Sequence, residues 1–441
     1  MLLFNANYKF LLNDHFYNDK SALPQTQLLY ICTMQKKSPS QFEFIALMAS
    51  LMSIVALAID ALLPALEYIG FSIGTTNVVD NQLLITMIFL GLGLGPLFFG
   101  PISDSLGRKP IVYMGFGIFI IASFICVFSE SLEMMVAGRI LQGIGLSAPR
   151  TISIAMVRDT YSGDYMARVM SFITVVFIFV PIIAPALGKF VLDHYNWQAI
   201  FYIQLLFSIL VSFWFWKRQP ETLPIKYRVK FTGKIFVNGM KEILKAKRTI
   251  GFTIISGFVT GSFMVYLSTA QQIFQIQYDL KEQFPYIFAG LAISIGSATF
   301  LNGTLVIKYG MEKMVTAALS AFFGVSLLYI VLFHGTANPS IGVLLSFFGM
   351  QFFAIGFLFG NLRALAMEPV GHIAGIGAAI TGFLSTMMAV PLSTFIGRFV
   401  SDTALPLFYG FLFCSSLALL VLVYLKMSKK EKITQIVNNE H

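Results

Sequence analysis

Charged side chains are scarce in this sequence. Only 12% of its 441 residues are Asp, Glu, Lys or Arg, about half the fraction of an average soluble protein. Cysteine and histidine are also scarce, with three and five residues. There is no HExxH pattern and no pair of cysteines at metal-ligand spacing, which argues against a disulfide framework, a metal centre and a metalloenzyme. We therefore expect no cofactor, no bound metal and no enzymatic activity.

Hydrophobic residues dominate instead. They make up 57% of the chain, and the mean hydropathy is +0.78. A membrane-spanning helix needs about 20 apolar residues, and the sequence contains about twelve such stretches. They cover residues 43–69, 81–103, 109–129, 132–157, 166–191, 196–216, 249–275, 284–307, 313–333, 337–362, 371–396 and 403–426. The sequence therefore predicts an all-α integral membrane protein with about twelve transmembrane helices.

The net charge of +9 could suggest nucleic-acid binding, but most basic residues lie in segments between the apolar stretches. The predicted outer loops contain only Lys189, Lys281 and Arg398. Because positive charge is retained on the cytoplasmic side, this asymmetry predicts that both chain termini are cytoplasmic. We therefore expect the lipid bilayer as a partner and no nucleic acid.

The longest internal polar segment, 217–248, divides the chain into two six-span halves, 41–216 and 249–427, followed by a cytoplasmic tail at 428–441. A helical piece at 236–247 fits an amphipathic helix on the inner leaflet or a solvated linker. The N-terminal tail, 1–40, has no membrane periodicity and no signal-peptide features. Met34 precedes Lys36 and Lys37, so we hypothesise that translation starts there and that residues 1–33 are not translated.

A short polar turn at residues 100–110, GPISDSLGRKP, joins the second and third predicted spans. Gly100 and Gly107 allow a sharp turn and a close backbone approach. Asp104 lies four residues before Arg108, where the two can pair. Arg108 and Lys109 place the turn in the cytoplasm.

The second half contains a partial copy of this turn. Gly303 and Gly310 have the same spacing at the equivalent junction, and Ile307 occupies the position of Asp104. This repeat predicts two pseudo-symmetric six-helix bundles. Transporters built from such repeats hold their substrate between the halves near the bilayer midplane.

Asp60 lies inside the first predicted span, with no Lys or Arg within helical reach. An ionisable residue inside a membrane is costly and is by default a candidate functional group. A buried carboxylate without a counter-ion favours its neutral form, so Asp60 can exchange a proton or couple to a substrate. The alternative is a structural aspartate that bonds to a neighbouring helix.

Arg139 lies inside the fourth predicted span, close to Gln142 and Gly143. Arginine keeps its charge and so needs a partner or a wet cavity. It either responds to the protonation of a carboxylate or anchors helix packing, for which Gly143 allows close approach. Arg150 lies deeper in the same span toward the cytoplasm, where it can snorkel, and we assign it no role.

Two prolines, Pro181 and Pro185, lie four residues apart in the fifth predicted span, and Gly188 follows. Prolines free backbone carbonyls and bend a helix, and Gly188 allows close packing at the bend. Such a helix fits a surface on which two halves rock against each other.

These segments resemble the major facilitator superfamily, specifically its drug:proton antiporters of the Bcr/CflA type, over roughly residues 41–427. The matching segments are the loop signature at 100–110, the span-four motif RILQGIG at 139–145, VRDTYSG at 157–163, the antiporter motif PIIAPALG at 181–188, DALLPAL at 60–66 and MEPVGH at 367–372. One departure is Ala184, where many members have glycine.

The resemblance implies proton-coupled export of drugs or other amphiphilic molecules by a monomer in the bacterial inner membrane. Asp60 and Arg139 would handle the proton, and the segment from Gly100 to Lys109 would act as a conformational latch. An open alternative is a proton-coupled nutrient or metabolite symporter of the same fold. The second half would contribute aromatic and Met side chains to binding, each more readily explained by packing: Phe263, Met264, Tyr266, Phe357 and Phe359.

Overall fold

The computed structural model describes residues 39–75, 77–228 and 233–439. The hypothesis about Met34 and residues 1–33 lies outside the described residues. In the described part the chain forms helices and no β-strand. The helices of the first half are α1 (Gln41–Asp60), α2 (Leu66–Ser72), α3 (Leu83–Leu106), α4 (Arg108–Val127), α5 (Leu132–Thr160), α6 (Gly163–His194) and α7 (Trp197–Arg218).

The remaining helices follow the polar segment at 217–248. They are α8 (Gly233–Lys245), α9 (Lys247–Gln271), α10 (Phe284–Tyr309), α11 (Met311–Phe333), α12 (Ile341–Met367), α13 (Ala374–Gly397) and α14 (Leu405–Asn439). Within the described ranges, 11 helical segments are long and apolar enough to cross a membrane. Helix α6 contains the remaining predicted span, 166–191, which confirms the predicted all-α membrane fold of about twelve spans.

The first predicted span is not one continuous helix. Helix α1 ends at Asp60, and a 3₁₀ turn, Leu63–Ala65, separates it from α2. Pro64 causes this break because its ring excludes an α-helical hydrogen bond. The first long helix of the second half ends in a similar way, since α9 passes at Gln271 into a π-helical turn, Gln272–Gln277. Each half therefore begins with an interrupted helix.

Glycines bring α3 and α5 into backbone contact. A Cβ atom on Gly91 would stand 2.1 Å from the Ile140 carbonyl oxygen, and one on Gly143 would stand 2.0 Å from the Ile88 carbonyl oxygen. Larger residues would push the two helices apart. Gly143 thus serves the close packing that the sequence predicts for it, a common role of small residues in membrane helices.

The polar segment between the halves is anchored at both ends. Residues 219–223 lie against the start of α4 through bonds described below. Helix α8 packs on the second half, where Gly239 faces Ile376 of α13 and Ile243 is buried with Val370 and Ile380. Part of the apolar face of α8 therefore rests on protein, while Val237 and Leu244 remain exposed.

Candidate functional site

The Asp60 carboxyl group lies at the end of α1 and is 5% exposed. Among the described residues it has no hydrogen bond and no ion pair, and burial is the main influence on its carboxyl group. It is the only Asp or Glu side chain that is buried in the part of the chain whose side chains are described. Asp60 thus combines an ionisable group with a buried setting that offers it no counter-ion.

Gly188 meets the backbone directly beside Asp60. A Cβ atom on Gly188 would stand 1.9 Å from the Ala61 carbonyl oxygen. Pro181 and Pro185 lie within the same helix, α6, which continues through both. The predicted proline segment therefore touches the break between α1 and α2, where the proposed proton carrier lies.

Arg139 is completely buried in α5, and its guanidinium group makes four hydrogen bonds. Its Nε donates to the Leu84 carbonyl oxygen at 2.7 Å, and both Nη atoms donate to the Ala58 carbonyl oxygen at 3.1 Å. Nη1 also donates to Gln142 Oε1 at 2.8 Å. These acceptors are neutral, so the geometry ties α1, α3 and α5 together two residues before Asp60.

Gln142 extends this network to α4 and has a counterpart in the second half. Gln142 Nε2 donates to Ser123 Oγ at 2.7 Å. In α12, Gln351 Nε2 donates to Ser326 Oγ of α11 at the same distance, 2.7 Å. The two halves thus repeat one buried amide–hydroxyl bond. The sequence alone had indicated the repeat only through the spacing of its glycines.

The predicted polar turn at 100–110 is mostly helical. Helix α3 continues to Leu106, α4 starts at Arg108, and Gly107 alone makes the turn with φ of +104°. Only glycine adopts this conformation without strain. Gly310 repeats it with φ of +81°. A Cβ atom on Gly100 would meet nothing within 4 Å, so the structure gives no steric reason for glycine there.

Arg108 is the buried centre of an ionic cluster. Its side chain is 3% exposed, and Nη1 lies 2.6 Å from Asp104 Oδ1 and 2.7 Å from Ser103 Oγ. On the other side, Nε lies 2.8 Å from Asp159 Oδ2 at the end of α5. The expected pair of Asp104 and Arg108 is therefore present, and Asp159 of the VRDTYSG segment completes it.

Glu221 is a participant that the sequence analysis did not identify. Its carboxylate accepts from the backbone N–H groups of Arg108 at 2.9 Å and Lys109 at 3.0 Å. Lys109 Nζ donates to the Gln219 carbonyl oxygen at 2.6 Å. A carboxylate at a helix N-terminus satisfies unpaired N–H groups and the helix dipole. No spacing rule in the sequence links residues 113 positions apart.

The equivalent junction in the second half has a different ion cluster. Arg248 Nη2 lies 2.6 Å from Glu312 Oε1 at the start of α11 and 3.0 Å from Glu368 Oε2. Glu368 belongs to the MEPVGH segment. The second half thus replaces the missing acid at Ile307 with carboxylates from other elements.

Polar contacts join the two halves at their predicted outer ends. Gln82 Nε2 donates to Gln272 Oε1 at 3.0 Å and to the Gly397 carbonyl oxygen at 3.1 Å. Lys189 Nζ lies 3.1 Å from Glu282 Oε1. The π-helical turn of α9 is therefore bonded to the segment that precedes α3.

The aromatic candidates of the second half differ in exposure. Tyr266 and Met264 are 1% exposed and Phe357 is 7% exposed, so they pack within the protein. Phe263 and Phe359 are half-buried, with ring centroids 5.6 Å apart. Only these two retain surface that a ligand can reach.

Twelve membrane helices, two similarly built halves and one buried carboxyl group at a helix break are the design of a secondary transporter. A family model described as Major Facilitator Superfamily matches residues 45–390. The chain belongs to the Major Facilitator Superfamily, a family of transporters.

Several relatives extend over nearly the whole chain. The "Bicyclomycin resistance protein homolog" of Haemophilus influenzae is 27% identical over 390 residues, which cover 88% of this chain and 96% of that protein. The "Chloramphenicol resistance protein" of Pseudomonas aeruginosa is 27% identical over 378 residues, which cover 84% and 86%. The "Multidrug resistance protein MdtL" of Vibrio parahaemolyticus is 26% identical over 387 residues, which cover 83% and 91%.

Among solved structures, the chain is similar to the xylose transporter XylE from E. coli in a partially occluded inward open conformation. The TM-score is 0.65 at 12% sequence identity, with 88% of this chain and 99% of that chain covered. At this identity the likeness concerns the fold alone.

Proposed function

We propose that this protein is a proton-coupled efflux transporter that exports drugs or other amphiphilic small molecules. It works by alternating access as a monomer in the bacterial inner membrane, with both termini cytoplasmic. Resistance proteins among its relatives support the direction and the substrate class. The two halves, 41–216 and 249–427, rock about a central cavity, with 217–248 as the cytoplasmic linker between them.

The observation that carries the proposal is the isolated Asp60 carboxyl group. It is buried without a counter-ion, so its charged state is costly and protonation relieves that cost. The carboxyl group can ionise when water reaches it and is neutral when it is buried. Its protonation can therefore be linked to the opening of a cavity. Asp60 loses its proton when the cavity faces inward and substrate binds, and it regains one when the cavity faces outward.

Arg139 supports this role through its hydrogen bonds to backbone carbonyl oxygens near Asp60. Its bonds to the Ala58 and Leu84 carbonyl oxygens hold α1 in place beside Asp60. A positive charge near the carboxyl group also favours the deprotonated form in one state of the cycle. We propose that Arg139 acts in proton coupling through this position and not through a direct ion pair.

The Arg108 cluster supports the latch. It joins the ends of α3, α4 and α5 through Asp104 and Asp159, and Glu221 adds the linker. Opening and closing on this side must move these helix ends relative to the second half, so the cluster sets the rate of that step. Pro181 and Pro185 each remove a backbone N–H donor from α6, which allows this helix to bend with the movement, and Gly188 keeps it packed closely on the end of α1.

The test is Asp60→Asn, compared with Asp80→Asn, which removes a carboxylate outside the membrane core. Each variant is expressed in a pump-deficient host, and everted vesicles are assayed for proton-driven accumulation and for proton release on adding bicyclomycin or chloramphenicol. We expect Asp60→Asn to insert normally and to lose both activities, and Asp80→Asn to keep them. Unchanged drug-driven proton release in Asp60→Asn would refute the coupling role.

The same vesicles separate export from the symport alternative. An exporter accumulates drug inside everted vesicles when the interior is acidified, because protons leave as drug enters. A nutrient symporter would release its substrate from them under the same gradient. Susceptibility testing across a drug panel then identifies which compounds are exported.

A further inference from the structure

Tyr266 has a buried hydroxyl group without a partner. The residue lies in α9 and is 1% exposed, and its Oη makes no hydrogen bond in the described part of the chain. A buried hydroxyl without a partner costs roughly 1–3 kcal/mol. Such a group needs an explanation, and packing alone would be served as well by phenylalanine.

The ring of Tyr266 is held by aromatic neighbours. Its centroid lies 4.5 Å from that of Phe352, 5.4 Å from Phe348, 6.3 Å from Phe288 and 6.5 Å from Phe263. Edge-to-face and offset contacts of this kind each add about 0.5–1.5 kcal/mol. The hydroxyl group is therefore fixed in position before any ligand or proton arrives.

Asp60 lies in the other half, in the neighbourhood of Tyr266. Helix α9 packs against the turn Leu63–Ala65 that follows Asp60, and the Asp60 carboxylate lies close enough to Tyr266 for an electrostatic interaction. Both groups are buried, and neither has another partner among the described residues. Asp60 is the last residue of α1, and Tyr266 lies in α9 five residues before that helix passes into its π-helical turn.

Several charged groups on the elements around Asp60 already have partners. On α5, Arg139 is bonded to carbonyl oxygens and Gln142. On α6, Lys189 pairs with Asp193 at 2.6 Å. On α7, Arg218 pairs with Glu43 at the opposite end of α1. None of these groups pairs with Asp60, whereas Tyr266 on α9 has an unpartnered hydroxyl group.

We infer that Tyr266 is a positioning residue for the proton that Asp60 carries. Its hydroxyl group donates a hydrogen bond to the Asp60 carboxylate, and it accepts one from the protonated carboxyl group. No proton leaves the tyrosine in either state. Because the partners belong to different halves, the bond forms only when the halves are close at this level. The inference rests on the proposed proton coupling at Asp60. It adds a residue of the second half whose hydrogen bond depends on the charge of Asp60.

The two forms of this bond differ in strength. A hydrogen bond to a charged acceptor is about twice as strong as one between neutral groups, so Tyr266 favours the carboxylate over the carboxylic acid. Its loss should make Asp60 hold its proton to higher pH. From the net strength of a bond to a charged group, the expected shift is on the order of one pH unit.

The experiment is an infrared pH titration of the full chain in lipid, following the carbonyl stretch of the protonated carboxylic acid. Asp60→Asn identifies the band that belongs to Asp60. Tyr266→Phe should move that band and shift its midpoint upward by about one pH unit. The matched control is Tyr329→Phe, which removes a hydroxyl group from another tyrosine that is 1% exposed and packed among aromatic rings in the same half. Its titration should match that of the unmodified protein.

An unchanged band and midpoint in Tyr266→Phe, or a downward shift, would overturn the inference. Should that variant fail to insert, Phe352→Leu removes the nearest ring that fixes Tyr266, and a smaller upward shift is expected. No shift in Phe352→Leu would then count against the inference. The titration uses no drug, so its failure is distinct from failure of the proposed transport function, which the Asp60→Asn vesicle assay measures.

Discussion

Removing the Glu221 carboxylate should release the linker from the start of α4. In Glu221→Gln, the side chain keeps its size but loses its charge and one of the two oxygen atoms that accept from the Arg108 and Lys109 N–H groups. Losing a helix N-cap costs about 0.5–2 kcal/mol, and losing the interaction with the helix dipole costs about 0.3–1 kcal/mol. The free energy of docking of the linker should therefore become about 2 kcal/mol less favourable, which corresponds to a roughly 30-fold increase in the undocked population.

Trypsin cleavage in everted vesicles measures that population, because the cytoplasmic face is then outside. Lys226 and Arg228 lie in the linker next to the docked segment. When opening and closing are fast relative to cleavage, the cleavage rate follows the open fraction. We expect N-terminal fragments ending at these residues to appear roughly 30 times faster in Glu221→Gln, given the free-energy loss above.

The control is Glu130→Gln, which removes an exposed carboxylate at the opposite end of α4. Its cleavage rate should match that of the unmodified protein. Equal rates in all three proteins would refute the docking role of Glu221. Equal acceleration in both variants would mean that a general loss of stability, and not release of the linker, causes the cleavage.

Three further substitutions test the packing and the latch. Gly188→Ala should lower the thermal stability because its Cβ atom would collide with the Ala61 carbonyl oxygen, whereas Gly303→Ala, with open space around it, should not. Arg139→Ala should destabilise the protein by about 2–4 kcal/mol because it leaves buried carbonyl oxygens without donors, and it should impair transport more than Arg150→Ala does; equal effects would contradict this ranking. Asp104→Asn should slow turnover in the vesicle assay without abolishing substrate binding, and an unchanged rate would reduce the Arg108 cluster to a structural element.

The sequence predicts the architecture well because membrane spans are defined by long apolar stretches. The spans at 109–129 and 284–307 agree with α4 and α10 within about two residues, since charged or polar residues mark their ends. The break after Asp60 was missed. Pro64 is visible in the sequence, but proline is common in membrane helices and often bends a helix without ending it.

Long-range contacts of the candidate site could not be predicted from one sequence. The pairing of Asp104 with Arg108 follows from a spacing of four residues on a helix. Glu221 and Asp159 reach Arg108 from distant segments, and only the fold brings them together. Tyr266 was named as one aromatic residue among several, because nothing in its surroundings in the sequence indicates that its hydroxyl group is unpaired and faces Asp60.

The buried carboxyl group of Asp60 has an electrical consequence. If Asp60 carries one proton inward for each molecule exported, export of a neutral molecule moves one net charge, and a membrane potential of about 100 mV contributes roughly 2.3 kcal/mol to each cycle. Export of a monovalent cation moves no net charge, so the pH difference alone drives it, at about 1.4 kcal/mol per unit. Neutral and cationic compounds would therefore respond differently when the potential is collapsed and the pH gradient is kept.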